Sequence, residues 1–164
     1  MARPETAIRV LFVCTGNTCR SPFAAAAMRG ELAADASRIV VESAGTSALE
    51  GQPATSEMQR VAGRAGLDLS PHRARAVTAR ELREADFVFV MEPRHRDALA
   101  AMGAPLERVH LISEWPEPGE PGLRVSDPFG GSREGYEECG RRILHHVRRI
   151  VPAVRQALQA RNAS

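Results

Sequence analysis

The chain is poor in aromatic residues, with five Phe, one Trp and one Tyr among 164 positions. Stacking platforms for single-stranded nucleic acid are therefore not expected, and the core has to be built mainly from aliphatic side chains. Lysine is absent altogether: all 22 basic residues are Arg, and against 20 acidic ones they leave a formal net charge of +2. That excess is too small to argue for a nucleic-acid or membrane partner. Part of it is local, since the segment from Arg133 onward carries seven Arg and three Glu, the pattern of a solvated helix face. Long apolar runs are also missing. The longest early one, Ile8 to Cys14, is interrupted by Arg9 and is too short for a signal sequence or a membrane span. Only three cysteines are present. This excludes a disulfide-framed secreted domain, and the expectation is a cytoplasmic protein with free thiols.

What remains is an ordinary globular composition, 43% apolar and 26% charged, without repeats, low-complexity runs or linkers. One domain over 1–164 is expected, with residues 1–7 as a flexible tail. Short β-branched runs alternate with longer Ala- and Leu-rich stretches. Arg9–Cys14, Ile39–Ser43, Asp86–Met91 and Arg108–Ile112 read as strands. Ser21–Ala34, Pro53–Gly66, a short segment opened by the capping box Thr78–Glu81, Pro93–Met102 and Arg133–Ala160 read as helices. Pro152 is a candidate kink in the last one. This alternation predicts an α/β fold: a doubly wound, four-stranded parallel sheet with helices on both faces. Ligands of such sheets bind at the carboxyl ends of the strands.

The loop after the first strand is Cys14-Thr15-Gly16-Asn17-Thr18-Cys19-Arg20-Ser21-Pro22. A tight loop running into a helix start turns successive backbone N–H groups inward and makes an anion nest. Gly16 and Asn17 tolerate the positive φ that such a curl needs. Arg20 adds a planar fork for two phosphate oxygens. The same positive field favours a thiolate at Cys14, and Ser21 is placed to hydrogen-bond to it; a thiolate in a phosphate cradle is a nucleophile aimed at phosphorus. An ATP-binding loop is excluded because no Gly-Lys-Ser/Thr ends the turn. A zinc pair from Cys14 and Cys19 lacks a second pair of ligands at suitable spacing. No metal and no cofactor are expected. His95, His110, His145 and His146 carry no functional argument.

Cys14 to Pro22 resembles the signature of the low-molecular-weight protein tyrosine phosphatases and the related protein arginine phosphatases. The resemblance extends over nearly the whole chain through Ser43-Ala-Gly-Thr46, Ser70-Pro-His-Arg-Ala-Arg75 and Ser126-Asp-Pro-Phe-Gly-Gly131. It implies Cys14 as nucleophile, Arg20 as clamp for the phosphate and transition state, and Asp127 as general acid and then base. A phosphorylated protein is the implied substrate. The resemblance further implies that Asn17, Ser43 and His72 form a hydrogen-bond network behind the loop. Cys19 matches a second loop cysteine found in many members; it is either a disulfide partner protecting Cys14 from over-oxidation or a small packing residue.

Two departures bear on the substrate. Thr18 stands where tyrosine-directed members usually have an aliphatic residue and arginine-directed members a threonine. The loop Thr46–Glu50 lacks the aromatic pocket wall common in tyrosine-directed members, and a single Phe129 precedes Gly130-Gly131. The expected pocket walls are Thr18, Leu49 and Phe129. A phenyl ring needs flat apolar walls, so phosphoarginine is preferred over phosphotyrosine as the expected substrate. An arsenate reductase of this fold would need a further cysteine pair, and only Cys139 remains. A dead phosphate-binding module is disfavoured by the intact Cys14, Arg20 and Asp127.

Overall fold

The computed structural model describes residues 7–119 and 123–164. Strands β1 (Ile8–Cys14), β2 (Ile39–Gly45), β3 (Phe87–Val90) and β4 (Val109–Leu111) alternate with helices α1 (Arg20–Glu31), α2 (Ser56–Arg64), α3 (Ala79–Glu84), α4 (Pro93–Ala101) and α5 (Arg133–Asn162). The four strands form one sheet in the order β2-β1-β3-β4, and every pairing is parallel. A parallel sheet needs cover on both faces, and the period-2 alternation of its strands supplies it. Ile8, Val10, Phe12 and Cys14 of β1, with Phe89 of β3, point into a core shared with Phe23 and Met28 of α1, Met58 of α2, and Ile143, Val147, Ile150 and Val154 of α5. Leu11, Val13, Val88 and Val90 point the other way, onto Leu82 of α3 and Leu99 of α4. Each fully buried aliphatic or aromatic side chain of this kind contributes about 1.5–3 kcal/mol of burial energy.

The helix boundaries follow from local chemistry. The Thr78 hydroxyl accepts from the Glu81 N–H at 3.2 Å, and the Glu81 carboxylate accepts from the Thr78 N–H at 3.0 Å, so the expected capping box is formed. Thr55 caps α2 by accepting from the Met58 N–H, and beyond its last turn Gly66 takes φ 76°. The helix expected to reach Ala34 stops at Glu31 and is followed by a 3-10 turn at Ala33–Asp35. α5 runs unbroken through Pro152, so that proline does not end the helix.

Of the expected tail, residues 1–6 lie outside the described residues, and Ala7 does not fit a flexible segment. Ala7 is buried, and its carbonyl accepts from Arg161 of α5 at 3.1 Å. Arg161 also grips Asp86 at the entrance to β3, tying the last helix to the start of the sheet. At the opposite end, β1 has β2 on one side and β3 on the other. The chain passes from β1 to β2 on one side and then crosses from β2 to β3 on the other, so the carboxyl end of β1 lies at the switch point where open α/β sheets hold their ligands. Cys14 is the last residue of that strand.

Candidate active site

The loop from Cys14 to Arg20 curls around the start of α1. Asn17 at its centre has φ 55°, the left-handed region. Its side chain is held at both ends. The Arg75 backbone N–H donates to Asn17 Oδ1 at 3.0 Å, which fixes the amide's orientation, and Nδ2 donates to Ser21 Oγ at 2.9 Å and Ser43 Oγ at 3.0 Å. The Asn17 carbonyl only accepts, so His72 donates its Nε2 hydrogen to it, at 2.6 Å. Burial pushes His72 below its ordinary value, against the raising effect of that bond. The Asn17 amide occupies one lone pair of Ser21 Oγ, which lies 2.9 Å from Cys14 Sγ and 3.4 Å from the Ala44 carbonyl. When Cys14 is a thiolate, a pure acceptor, the Ser21 hydrogen is available to it. Gly45 closes the back of the loop: a Cβ there would come within 2.4 Å of the Thr15 carbonyl oxygen. Ser43 lies within β2, so the strand itself positions the hydroxyl.

No side chain caps the start of α1, which leaves its first-turn N–H groups directed toward an anion. Arg20 is 1% exposed. Its Nη1 pairs with Glu92 and donates to the Val125 carbonyl at 3.2 Å, and its Nη2 lies 3.7 Å from Asp127 Oδ2. Burial opposes the charge on Arg20, but Glu92 and the charges of Cys14 and Asp127 outweigh it and hold the guanidinium above its ordinary value. Glu92 is likewise disfavoured by burial, and hydrogen bonds from Arg20 and Arg94 bring its carboxyl below the usual range. Glu92 stands between β3 and α4 beside His95, whose Nδ1 accepts from the Glu92 N–H at 3.1 Å and whose Nε2 lies 2.8 Å from Thr15 Oγ1. His95, expected to have no role, is 2% exposed and joins the wall of the site. Burial, reinforced by the charge of Arg20, pushes it down to about 4.

Cys14, Thr15, Gly16, Thr18, Cys19, Arg20, Asp127 and Phe129 line one cleft of about 230 Å³. The Asp127 segment reaches it from the far side, with Asp127 Oδ1 accepting from the Phe129 N–H at 3.1 Å and Phe129 largely exposed. Leu49 is a correction: its side chain is 74% exposed and is not part of the cleft lining, although its loop is hydrogen-bonded to Cys14 and Thr15 through the Thr46 and Ser47 N–H groups. Cys19 turns back toward α5. A hydrogen bond with Cys139, together with burial, pushes its thiol well up, so it is held protonated. All three cysteines are free thiols.

The sequence matches, over residues 9–161, the family model described as low molecular weight phosphotyrosine protein phosphatase. The chain belongs to the low-molecular-weight protein tyrosine phosphatase family. A low molecular weight protein-tyrosine-phosphatase of Streptomyces coelicolor is 35% identical, over 94% of this chain and 98% of its own length. The crystal structure of the low-molecular-weight protein tyrosine phosphatase from T. tengcongensis is 33% identical, with TM-score 0.80, covering 90% of this chain and 99% of its own. The YwlE arginine phosphatase from Geobacillus stearothermophilus superposes as well, at TM-score 0.80 and 27% identity over 93% of this chain and 96% of its own. This low-molecular-weight phosphatase is thus a protein phosphatase, with phosphoproteins as its substrate class. No helix among the described residues is long and apolar enough to cross a membrane.

Proposed function

We propose that this phosphatase cleaves phosphorylated protein side chains through a phosphocysteine, with phosphoarginine favoured over phosphotyrosine. Cys14 Sγ attacks phosphorus in line while the bond from phosphorus to the leaving nitrogen or oxygen breaks and its electron pair departs with the leaving group. Asp127 donates the proton that group needs. Water then attacks the phosphocysteine and gives its proton to Asp127; the P–S bond breaks, returning the Cys14 thiolate and releasing phosphate. Arg20 and the N–H groups of the loop and of α1 hold the equatorial oxygens, whose charge is greatest in the transition state. Ser21 stabilises the sulfur both as nucleophile and as leaving group. Asn17, Ser43 and His72 hold the loop in its left-handed turn, so no reorganisation is needed as charge develops.

The observation that carries the substrate choice is the cleft lining. Thr15 and Thr18 put two hydroxyls at its wall, Phe129 is its one aromatic, and Leu49 stands outside. A guanidino leaving group has several N–H donors to satisfy, and hydroxyl walls accept them; a phenyl ring gains most from flat apolar contact. The arginine-directed YwlE neighbour agrees with this choice, whereas the tyrosine-directed relatives favour the second reading, phosphotyrosine by the same chemistry. Comparing kcat/KM for phosphoarginine and phosphotyrosine peptides decides between them. A higher value for phosphoarginine is expected, and a higher value for phosphotyrosine overturns the choice.

A further inference from the structure

The side chains of His95 and Thr15 meet at the side of the cleft; phosphate falls to Arg20 and the backbone N–H groups of the loop, and neither of these two side chains is needed for it. Their hydrogen atoms are fixed by logic rather than by chance. The Glu92 backbone N–H can only donate, and it points at His95 Nδ1 from 3.1 Å. That nitrogen is therefore the acceptor of the ring, and the single ring hydrogen of the neutral imidazole sits on Nε2. Nε2 lies 2.8 Å from Thr15 Oγ1, so His95 donates and Thr15 accepts. With His95 its one side-chain partner among the described residues, the Thr15 hydroxyl keeps one lone pair and its own hydrogen, and it does so on a residue that lines the cleft next to Cys14. Burial of His95 in the first turn of α4 removes the freedom of the ring to turn. The hydroxyl of Thr15 is thereby held in one rotamer with a donor and an acceptor left for a ligand.

We propose that Thr15 is a specificity-determining residue that hydrogen-bonds the polar part of the substrate side chain beyond phosphorus, and that His95 is the positioning residue that aims it. The proposal deepens the phosphoarginine reading and rests on it for the identity of the group being held, a guanidino nitrogen. His95 reaches the substrate only through Thr15, while its Nδ1 accepts from the Glu92 N–H. Losing one such hydrogen bond leaves a buried guanidino N–H without a partner, a loss that discriminates strongly between otherwise similar substrates. A phenyl ring makes no such bond at that wall and has nothing to lose.

The test is steady-state kinetics of the full chain on a phosphoarginine peptide and a phosphotyrosine peptide of the same sequence, with inorganic phosphate as inhibitor. Thr15→Val keeps the shape and removes the hydroxyl. It is expected to lower kcat/KM for phosphoarginine about 10- to 100-fold, to leave phosphotyrosine within about threefold, and to leave the inhibition constant of phosphate unchanged. His95→Leu should reproduce the selective loss, and His95→Gln, whose amide can still donate to Thr15, should recover most of it. Thermal unfolding of each variant separates loss of fold from loss of aim. An equal loss on both substrates, or a weakened phosphate inhibition in Thr15→Val, overturns the proposal, because Thr15 would then be acting through the shape of the loop. The wild-type ratio tests the phosphoarginine reading separately. If wild type prefers phosphotyrosine, that reading falls, while a tenfold drop in the phosphoarginine to phosphotyrosine ratio on Thr15→Val still upholds the assignment of Thr15.

Discussion

The two sides of the cleft are built to different standards. On one side, Asn17, Arg20 and Ser21 are buried and every polar atom of the Asn17 side chain has a partner, drawn from α1, β2 and the segment around Arg75. On the other, the Asp127 segment is exposed at Ser126, Asp127, Phe129 and Gly130, and Asp127 is engaged by its neighbour Phe129 and, at 3.7 Å, by Arg20. Beneath it Val125 and Pro128 are buried and hold the segment to the body. The fixed side receives charge that must be met at a set distance, where preorganised donors are worth most. In the proposed mechanism the looser side delivers a proton to leaving groups of varying size, which needs reach more than rigidity. Damage to the fixed side should therefore affect all substrates alike, and damage to the loose side should depend on the leaving group.

The largest effect is expected for Cys14→Ser, which should abolish turnover while phosphate or vanadate still binds, as read by calorimetry; appreciable turnover would remove Cys14 from the chemistry. Next, Asp127→Asn should slow phosphoarginine or phosphotyrosine peptides by something like 10²–10⁴-fold, and p-nitrophenyl phosphate, whose leaving group needs little protonation, by much less. Equal losses on both would erase the contrast between the two sides. Asn17→Ala strips the hydrogen bonds to Ser21, Ser43 and Arg75. It should cost roughly 10- to 100-fold in kcat/KM on every substrate, together with weaker phosphate inhibition, since each unpaired group costs about 1–3 kcal/mol. A substrate-dependent loss would place Asn17 on the wrong side of the comparison. Thr18→Ile replaces a cleft hydroxyl by an apolar branch and should shift the kcat/KM ratio toward phosphotyrosine by about 10-fold; an unmoved ratio would make Thr18 a neutral wall.

The smallest effect is on stability. His95 is held at about 4 in the fold, and His72, His110 and His146 are also pushed down, each mainly by burial. The unfolded chain takes up these protons as pH falls through its ordinary histidine value of about 6.5, and the folded chain refuses them until lower pH. Stability is therefore full above about pH 6.5 and is lost as pH falls toward 4. For His95 alone the loss between pH 7 and pH 5 is about 2 kcal/mol. Denaturant unfolding at the two pH values measures it, and a flat profile would mean that these rings charge within the fold.

Most of the fold was legible because its signals are local. The alternation in Ile8–Cys14, the capping box at Thr78 and the apolar stripe of the last helix each declare themselves within a few residues. The loop from Cys14 to Arg20 was legible for the same reason, and Asp127, Asn17, Ser43 and His72 came by resemblance to positions that the structure brings around it. Glu92 and His95 were not, since their meaning depends on β3 pairing beside β1, which joins them to Arg20 and Thr15 across 72 and 80 positions of sequence. The local hint was Glu92-Pro93-Arg94-His95 at the carboxyl end of a strand, a proline at the first turn of a helix between two polar residues three apart. Leu49 was misjudged because an exposed loop residue has no neighbour in sequence that tells which way it turns. Ala7 was misjudged because its partner, Arg161, lies at the other end of the chain.

The clasp between Ala7 and Arg161 has a consequence for how the molecule forms. The face of β1 that carries Cys14 is covered in part by Ile143, Val147, Ile150 and Val154, side chains that leave the ribosome after every strand of the sheet. Until they arrive, that face of the first strand has only the cover of α1 and α2, so the contact that completes the core joins residues far apart in sequence, the kind that forms slowly. A nascent chain halted before α5 would hold the whole phosphate loop and lack the helix that completes the core beneath it. Acquisition of activity during synthesis should therefore coincide with docking of that final helix, not with the earlier appearance of Cys14 and Arg20.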